Sequence, residues 1–340
     1  MIYFPFVGVF VMIMVFGTVL SLSSIHWFGV WFGLELNLLG MIPIMVQKGG
    51  SEETESGVKY FLIQAVGSVM FLLGIFLLGW VNTGWNLNSN GSYLMMGLFF
   101  FGLLIKLGVA PFHFWVPSVV SGVSWGCNLL LLTWQKVAPL LVLCSFLDIF
   151  GLLMLFLVFM SSFFGGVGGV NQTSIRSILA YSSILHMGWL MGASMVSINF
   201  CFVYFSMYSG VLGCIIAVLW FEESYNNYGF LNIYSWESSG RLFLVFMLLS
   251  LGGMPPLLGF FGKWLVLVSL MGQGQILLSL MLVSGSMVSL YYYLVLSFSL
   301  ILGLEAGFFK KSTFFGLTWV SGAFINLVGL GSFYWLSTLA

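Results

Sequence analysis

The chain has 340 residues, of which 61% are hydrophobic and only 5% are Asp, Glu, Lys or Arg, with nine basic residues balancing nine acidic ones. A soluble domain carries about a quarter charged residues, so this chain has too little polar surface to face water. Zero net charge offers no basic face for nucleic acid and no acidic tail, which leaves lipid and other membrane helices as partners.

A membrane helix needs about 20 mostly apolar residues, because each rises about 1.5 Å and the hydrocarbon core is about 30 Å thick. Applied along the chain, that length predicts eleven spans: 1–22, 25–46, 57–81, 92–116, 122–145, 150–168, 171–196, 199–220, 241–271, 275–302 and 314–336. The first enters directly from Met1-Ile2-Tyr3-Phe4-Pro5, without a basic signal region or an Arg/Ser-rich transit segment, and reads as a retained helix. The expected fold class is all-α, a polytopic transmembrane helix bundle of about eleven helices in one domain.

Alternating the loops between the two sides tests this count. Lys48, Lys59, Arg176, Arg241, Lys310 and Lys311 all fall on the side of the N-terminus, with Glu52, Glu53, Glu55, Glu222, Glu223 and Glu237. The other side holds Asp148 and neutral linkers such as Asn82-Thr83-Gly84-Trp85-Asn86. The N-terminus is therefore expected inside, in the cytoplasm or the mitochondrial matrix.

Four ionisable residues fit no loop: Glu35 in the second span, Lys106 in the fourth, Lys136 in the fifth and Lys263 in the ninth. A charge at the bilayer centre costs at least about 2.5 kcal/mol, so four in one chain need a reason. One reading is structural, with lysine stems snorkelling to an interface or a Lys–Glu pair tying two helices together. The other is functional, since burial disfavours the charged form of both side-chain types and lets them exchange protons near neutral pH.

The fourth span carries Gly108-Val109-Ala110-Pro111 just after Lys106, and the ninth carries Gly252-Gly253-Met254-Pro255-Pro256 just before Lys263. Proline lacks the backbone donor, so both helices are expected to break or kink. Two breaks five helices apart, each beside a buried lysine, suggest an inverted repeat with pseudo-repeats of about 1–145 and 150–302 and an extra helix at 314–336. His113, after the first break, and His186, on the seventh span, read equally as proton relays or as hydrogen-bonded structural histidines. His26 reads as interfacial.

Cys127, Cys144, Cys201 and Cys214 lie in apolar stretches without Cys-x-x-Cys spacing and read as small core residues. Gly165-Gly166-Val167-Gly168-Gly169 reads as a tight connection between spans. The sequence has no phosphate loop, zinc-protease motif, nucleophile elbow or dinucleotide fingerprint.

Several blocks carry a family resemblance. They are Gly33-Leu34-Glu35-Leu36-Asn37 with Ile42-Pro43, Lys59-Tyr60-Phe61-Leu62-Ile63-Gln64, and the run from Lys106 through Pro111-Phe112-His113-Phe114-Trp115-Val116-Pro117. Thr133-Trp134-Gln135-Lys136-Val137-Ala138-Pro139, Asn171-Gln172-Thr173-Ser174-Ile175-Arg176, Ala180-Tyr181-Ser182-Ser183 with His186-Met187-Gly188-Trp189, and Leu251 to Phe261 with Lys263-Trp264 follow in order. From about residue 30 to 270 the chain resembles the subunit 2 family of mitochondrial NADH dehydrogenase, antiporter-like membrane subunits of respiratory complex I.

That resemblance implies a proton-moving subunit of the membrane arm, in the mitochondrial inner membrane with its N-terminus on the matrix side. Its partners would be other membrane-arm subunits. NADH, FMN, the iron–sulfur clusters and ubiquinone would be handled by other subunits, leaving no cofactor or metal on this chain. The enzyme activity would then belong to the whole NADH:ubiquinone reductase. Glu35 and Lys106 would form an ion pair whose opening modulates the central Lys136, with Lys263 further along a polar axis. Bacterial relatives are expected to be longer by about three helices at the N-terminus. Two departures stand out: Ser118 replaces a frequent acidic residue, and beyond Lys263 the remaining carboxylate near a span is Glu305. Two other functions use the same features, a free-standing cation/proton antiporter and a structural membrane subunit whose lysines only pair with neighbours.

Overall fold

The computed structural model describes residues 6–47, 49–81, 93–145, 151–225, 238–255 and 257–302. Among the described residues the regular structure is helical, in the order α1 (Phe6–Ser23), α2 (Trp27–Met45), α3 (Ser51–Val81), α4 (Tyr93–Leu107), α5 (Trp115–Gly122), α6 (Trp125–Leu132), α7 (Trp134–Cys144), α8 (Gly151–Val170), α9 (Ile175–Val196), α10 (Ile198–Tyr225), α11 (Ser238–Gly252), α12 (Leu258–Gly272) and α13 (Ile276–Leu302). Seven stretches among the described residues are long and apolar enough to cross a membrane. The α4, α11 and α12 helices are apolar but shorter.

The first ten expected spans all fall on helices. The eleventh, 314–336, lies outside the described residues, as do Lys48, Asp148, Glu237, Glu305, Lys310 and Lys311. The fourth span is interrupted between α4 and α5 and the ninth between α11 and α12, at the two Gly/Pro sites. A third interruption falls at Thr133, which divides the fifth span into α6 and α7. Pro139 lies inside α7 and leaves the carbonyl of Gln135, just past this break, without a helical donor.

The chain divides into two compact units, one of residues 1–157 with 173–180 and the other of 158–172 with 181–340. In the first unit α1 and α2 touch backbone to backbone. A Cβ at Gly33 would stand 2.7 Å from the carbonyl oxygen of Gly17, so only glycine allows this approach. The α3 and α4 helices meet the same way, where a Cβ at Gly102 would stand 2.8 Å from the Gly67 carbonyl oxygen. Trp27 stacks on Phe99 with ring centroids 4.9 Å apart, fastening α2 to α4. Arg176 donates to the Ser121 carbonyl at 3.3 Å and covers the Trp125 ring, closing the end of α5.

In the second unit the Gly165–Gly169 run is not a connection, because α8 continues to Val170. These glycines instead admit neighbours: a Cβ at Gly165 would meet the α9 backbone at Leu185, and one at Gly166 the α13 backbone at Gly285. Arg241, the first residue of the expected ninth span and a charge assigned to the side of the N-terminus, lies within α11 and is fully buried. The cysteines are free thiols; Cys127, Cys144 and Cys201 are buried and Cys214 is partly so.

Candidate functional site

In the first unit Glu35 lies midway along α2 and Lys106 in the last turn of α4, where the carbonyl end of the helix favours a cation. The Glu35 Oε2 is 3.9 Å from the Lys106 Nζ. That is an ion pair too long to be a hydrogen bond. Gly67 gives the Lys106 stem its room, since a Cβ there would come within 3.2 Å of Lys106 Cγ.

The break after α4 frees carbonyl groups, and neutral side chains meet them. The Trp115 indole donates to the Ile105 carbonyl at 3.2 Å, and the Gln64 amide donates to the Lys106 carbonyl at 3.3 Å. The ammonium of Lys106 thus faces Glu35 and a cavity of about 20 Å³. Lys136 lines the same cavity from the first turn of α7, together with Asn37, Tyr60, Gln64 and Gln135. Tyr60 donates to Gln135 Oε1 at 3.3 Å, and Gln135 Nε2 donates to Asn37 Oδ1 at 3.0 Å. A polar space of this size holds a water molecule.

In the second unit Lys263 is buried in α12, and its Nζ donates to the carbonyls of Leu251 at 3.2 Å and Gly252 at 2.9 Å. The Nζ also stands 6.0 Å from the centre of the Trp189 ring. His186 Nδ1 lies 2.8 Å from the Tyr204 hydroxyl, and the His186 ring packs on Tyr208 at 4.7 Å. His186, Tyr204, Tyr208, Leu251 and Gly262 line a smaller cavity of about 10 Å³.

The structure therefore brings Glu35, Lys106 and Lys136 together, and places Lys263 against Trp189 and the α11 carbonyls, while His186 lines a cavity with Leu251 and Gly262. His113 is buried in the turn between α4 and α5 against Phe114 and lines neither cavity. Sequence reasoning passed over Asn37, Tyr60, Gln64, Gln135, Tyr204 and Tyr208. Tyr60 with Gln64 and Tyr204 with Tyr208 are four residues apart, on one helix face each, and that spacing within apolar runs was the available signal.

The family described as NADH:quinone oxidoreductase/Mrp antiporter, TM matches residues 24–289. NADH-ubiquinone oxidoreductase chain 2 of Locusta migratoria is 39% identical over 293 residues, covering 85% of this chain and 83% of its own length. The Anopheles gambiae protein of that name is 40% identical over 298 residues, covering 86% and 85%. Among solved structures, a chain of respiratory complex I from Thermus thermophilus superposes with a TM-score of 0.79 at 25% identity, over 96% of this chain and 78% of that one. A chain of the Mrp complex from Dietzia shares the fold, with a TM-score of 0.77 at 17% identity, over 89% of this chain and 61% of that one. The chain belongs to the NADH:quinone oxidoreductase/Mrp antiporter family of membrane subunits, among the relatives named NADH-ubiquinone oxidoreductase chain 2.

Proposed function

We propose that Glu35, Lys106, Lys136 and Lys263 carry the protons that this chain moves as a proton-translocating membrane subunit of NADH:ubiquinone oxidoreductase. The redox chemistry belongs to other subunits of the complex, and this chain's partners are the other membrane-arm subunits in the mitochondrial inner membrane. The N-terminus then faces the matrix, as the distribution of Lys and Arg suggests. The two breaks beside buried lysines support an inverted repeat within a single antiporter-like domain.

The observation that carries the reading is the polar cavity shared by Lys106 and Lys136. Two ammonium groups on one small cavity repel each other. With Lys106 drawn toward Glu35, Lys136 holds its proton more easily; with the pair open, the repulsion grows and Lys136 releases it to cavity water. The polar side chains of Tyr60, Gln135 and Asn37 solvate that path. His186 acts as a relay in the second unit, and His113 is assigned a structural part in its turn. Moving one charge against 100 mV requires about 2.3 kcal/mol, which must arrive from the partner subunits.

The test is Lys136→Ala in the complex, with assembly checked on a native gel and proton pumping followed beside NADH:ubiquinone turnover. Coupled turnover should fall by roughly a hundredfold or more in assembled complex, the scale of a lost proton-transfer group. Full pumping in assembled complex would reduce the buried lysines to structural pairs.

A further inference from the structure

An unbroken α11 would send the N–H of residue 255 to the carbonyl of Leu251 and that of residue 256 to the carbonyl of Gly252. Both positions are proline and have no N–H to give. The Lys263 ammonium stands in their place, bonded to both carbonyls. Gly253 makes room for it: its φ is +84°, and a Cβ there would come within 3.0 Å of Lys263 Cδ and 3.1 Å of Nζ.

We propose that Gly253 and Pro255 are positioning residues for proton transfer, building a socket of two backbone carbonyls that selects which proton of Lys263 leaves. This rests on the reading of Lys263 as a proton carrier. An ammonium has three donors. Two are held by the Leu251 and Gly252 carbonyls, and the third is free to pass to water. Breaking that N–H bond yields hydronium and a neutral amine whose two remaining N–H groups still match the two carbonyls. The lysine gives up its proton without leaving its seat. The titratable groups around the socket are His186 on α9, Tyr204 and Tyr208 on α10, and Tyr293 on α13, whose ring lies against Gly252.

The test is a double-mutant cycle in the assembled complex. Pro255→Ala returns a backbone N–H to the turn that follows Gly253, where it competes with Lys263 for the Leu251 carbonyl. Gly253→Asn tolerates positive φ but puts a Cβ where the ammonium sits. Each should lower coupled turnover by about three- to tenfold, the scale of one net hydrogen bond. In a Lys263→Ala background neither should lower it further, because both act through the lysine. Effects that multiply with Lys263→Ala, or unchanged turnover in either assembled variant, would overturn the socket. So would failure of both variants to assemble where Lys263→Ala assembles, since the break would then serve the fold. Full turnover in Lys263→Ala itself would instead remove Lys263 from the proton path.

Discussion

The two helix breaks solve the same problem with opposite donors. At the end of α4 neutral side chains, the Trp115 indole and the Gln64 amide, meet the carbonyls that the break exposes. At the end of α11 the lysine itself meets them. Lys106 is thereby left to a carboxylate and a cavity, while Lys263 is bound into its helix end. On the proposed function, structure and proton transfer are separable at the first break and fused in one side chain at the second.

Replacing each lysine by Met gives the largest effects and the most direct test of this contrast. Coupled turnover should fall by roughly a hundredfold in both, the scale of a lost proton-transfer group. Both should lower the thermal stability of the assembled complex, Lys263→Met by stranding buried carbonyls at about 1–3 kcal/mol and Lys106→Met by stranding the Glu35 carboxylate, so adding Glu35→Gln should restore melting to Lys106→Met alone. Melting restored to Lys263→Met by Glu35→Gln, or not restored to Lys106→Met, followed by native gel after heating, would break the comparison.

Trp115→Phe sharpens it from the other side. The Ile105 carbonyl loses its indole donor, at a cost of about 1–3 kcal/mol in stability. Turnover per assembled complex should stay within about twofold, since the indole N–H is bonded to a backbone carbonyl and gives no hydrogen bond to either lysine. Tyr60→Phe, which removes the donor to Gln135 in the shared cavity, should lower turnover by about two- to fivefold with assembly unchanged. The smallest change belongs to Tyr204→Phe, about twofold in turnover, measured against His186→Phe to learn whether the pair acts as one unit.

The helices, the deep charges and the two Gly/Pro breaks were legible because each depends on residues close in sequence: an apolar run, a proline, a lysine beside it. The donors that satisfy the breaks were not. Gln64 reaches the Lys106 carbonyl across 42 positions, and Gln135 meets Asn37 across 98. Such pairings arise only once α2, α3, α4 and α7 have packed. Arg241 misled for a related reason, since a basic residue at a span boundary reads as a loop charge until packing buries it. The glycines of α8 misled because close helix packing and a tight turn ask for the same residue.

The glycine contact between α1 and α2 has a mechanical consequence. With the two backbones touching at Gly17 and Gly33, α1 braces α2 as one rod, and Glu35 sits on it. Attraction between unit charges about 4 Å apart is about 4 kcal/mol at an effective dielectric of about 20, and about half that at twice the distance. A tilt of the rod that doubles the 3.9 Å gap to Lys106 therefore alters the charge balance by about 2 kcal/mol. That matches the work of carrying one charge across about 100 mV. On the proposed function, the hairpin would act as a lever that turns a push from a neighbouring subunit into a change in where a proton sits.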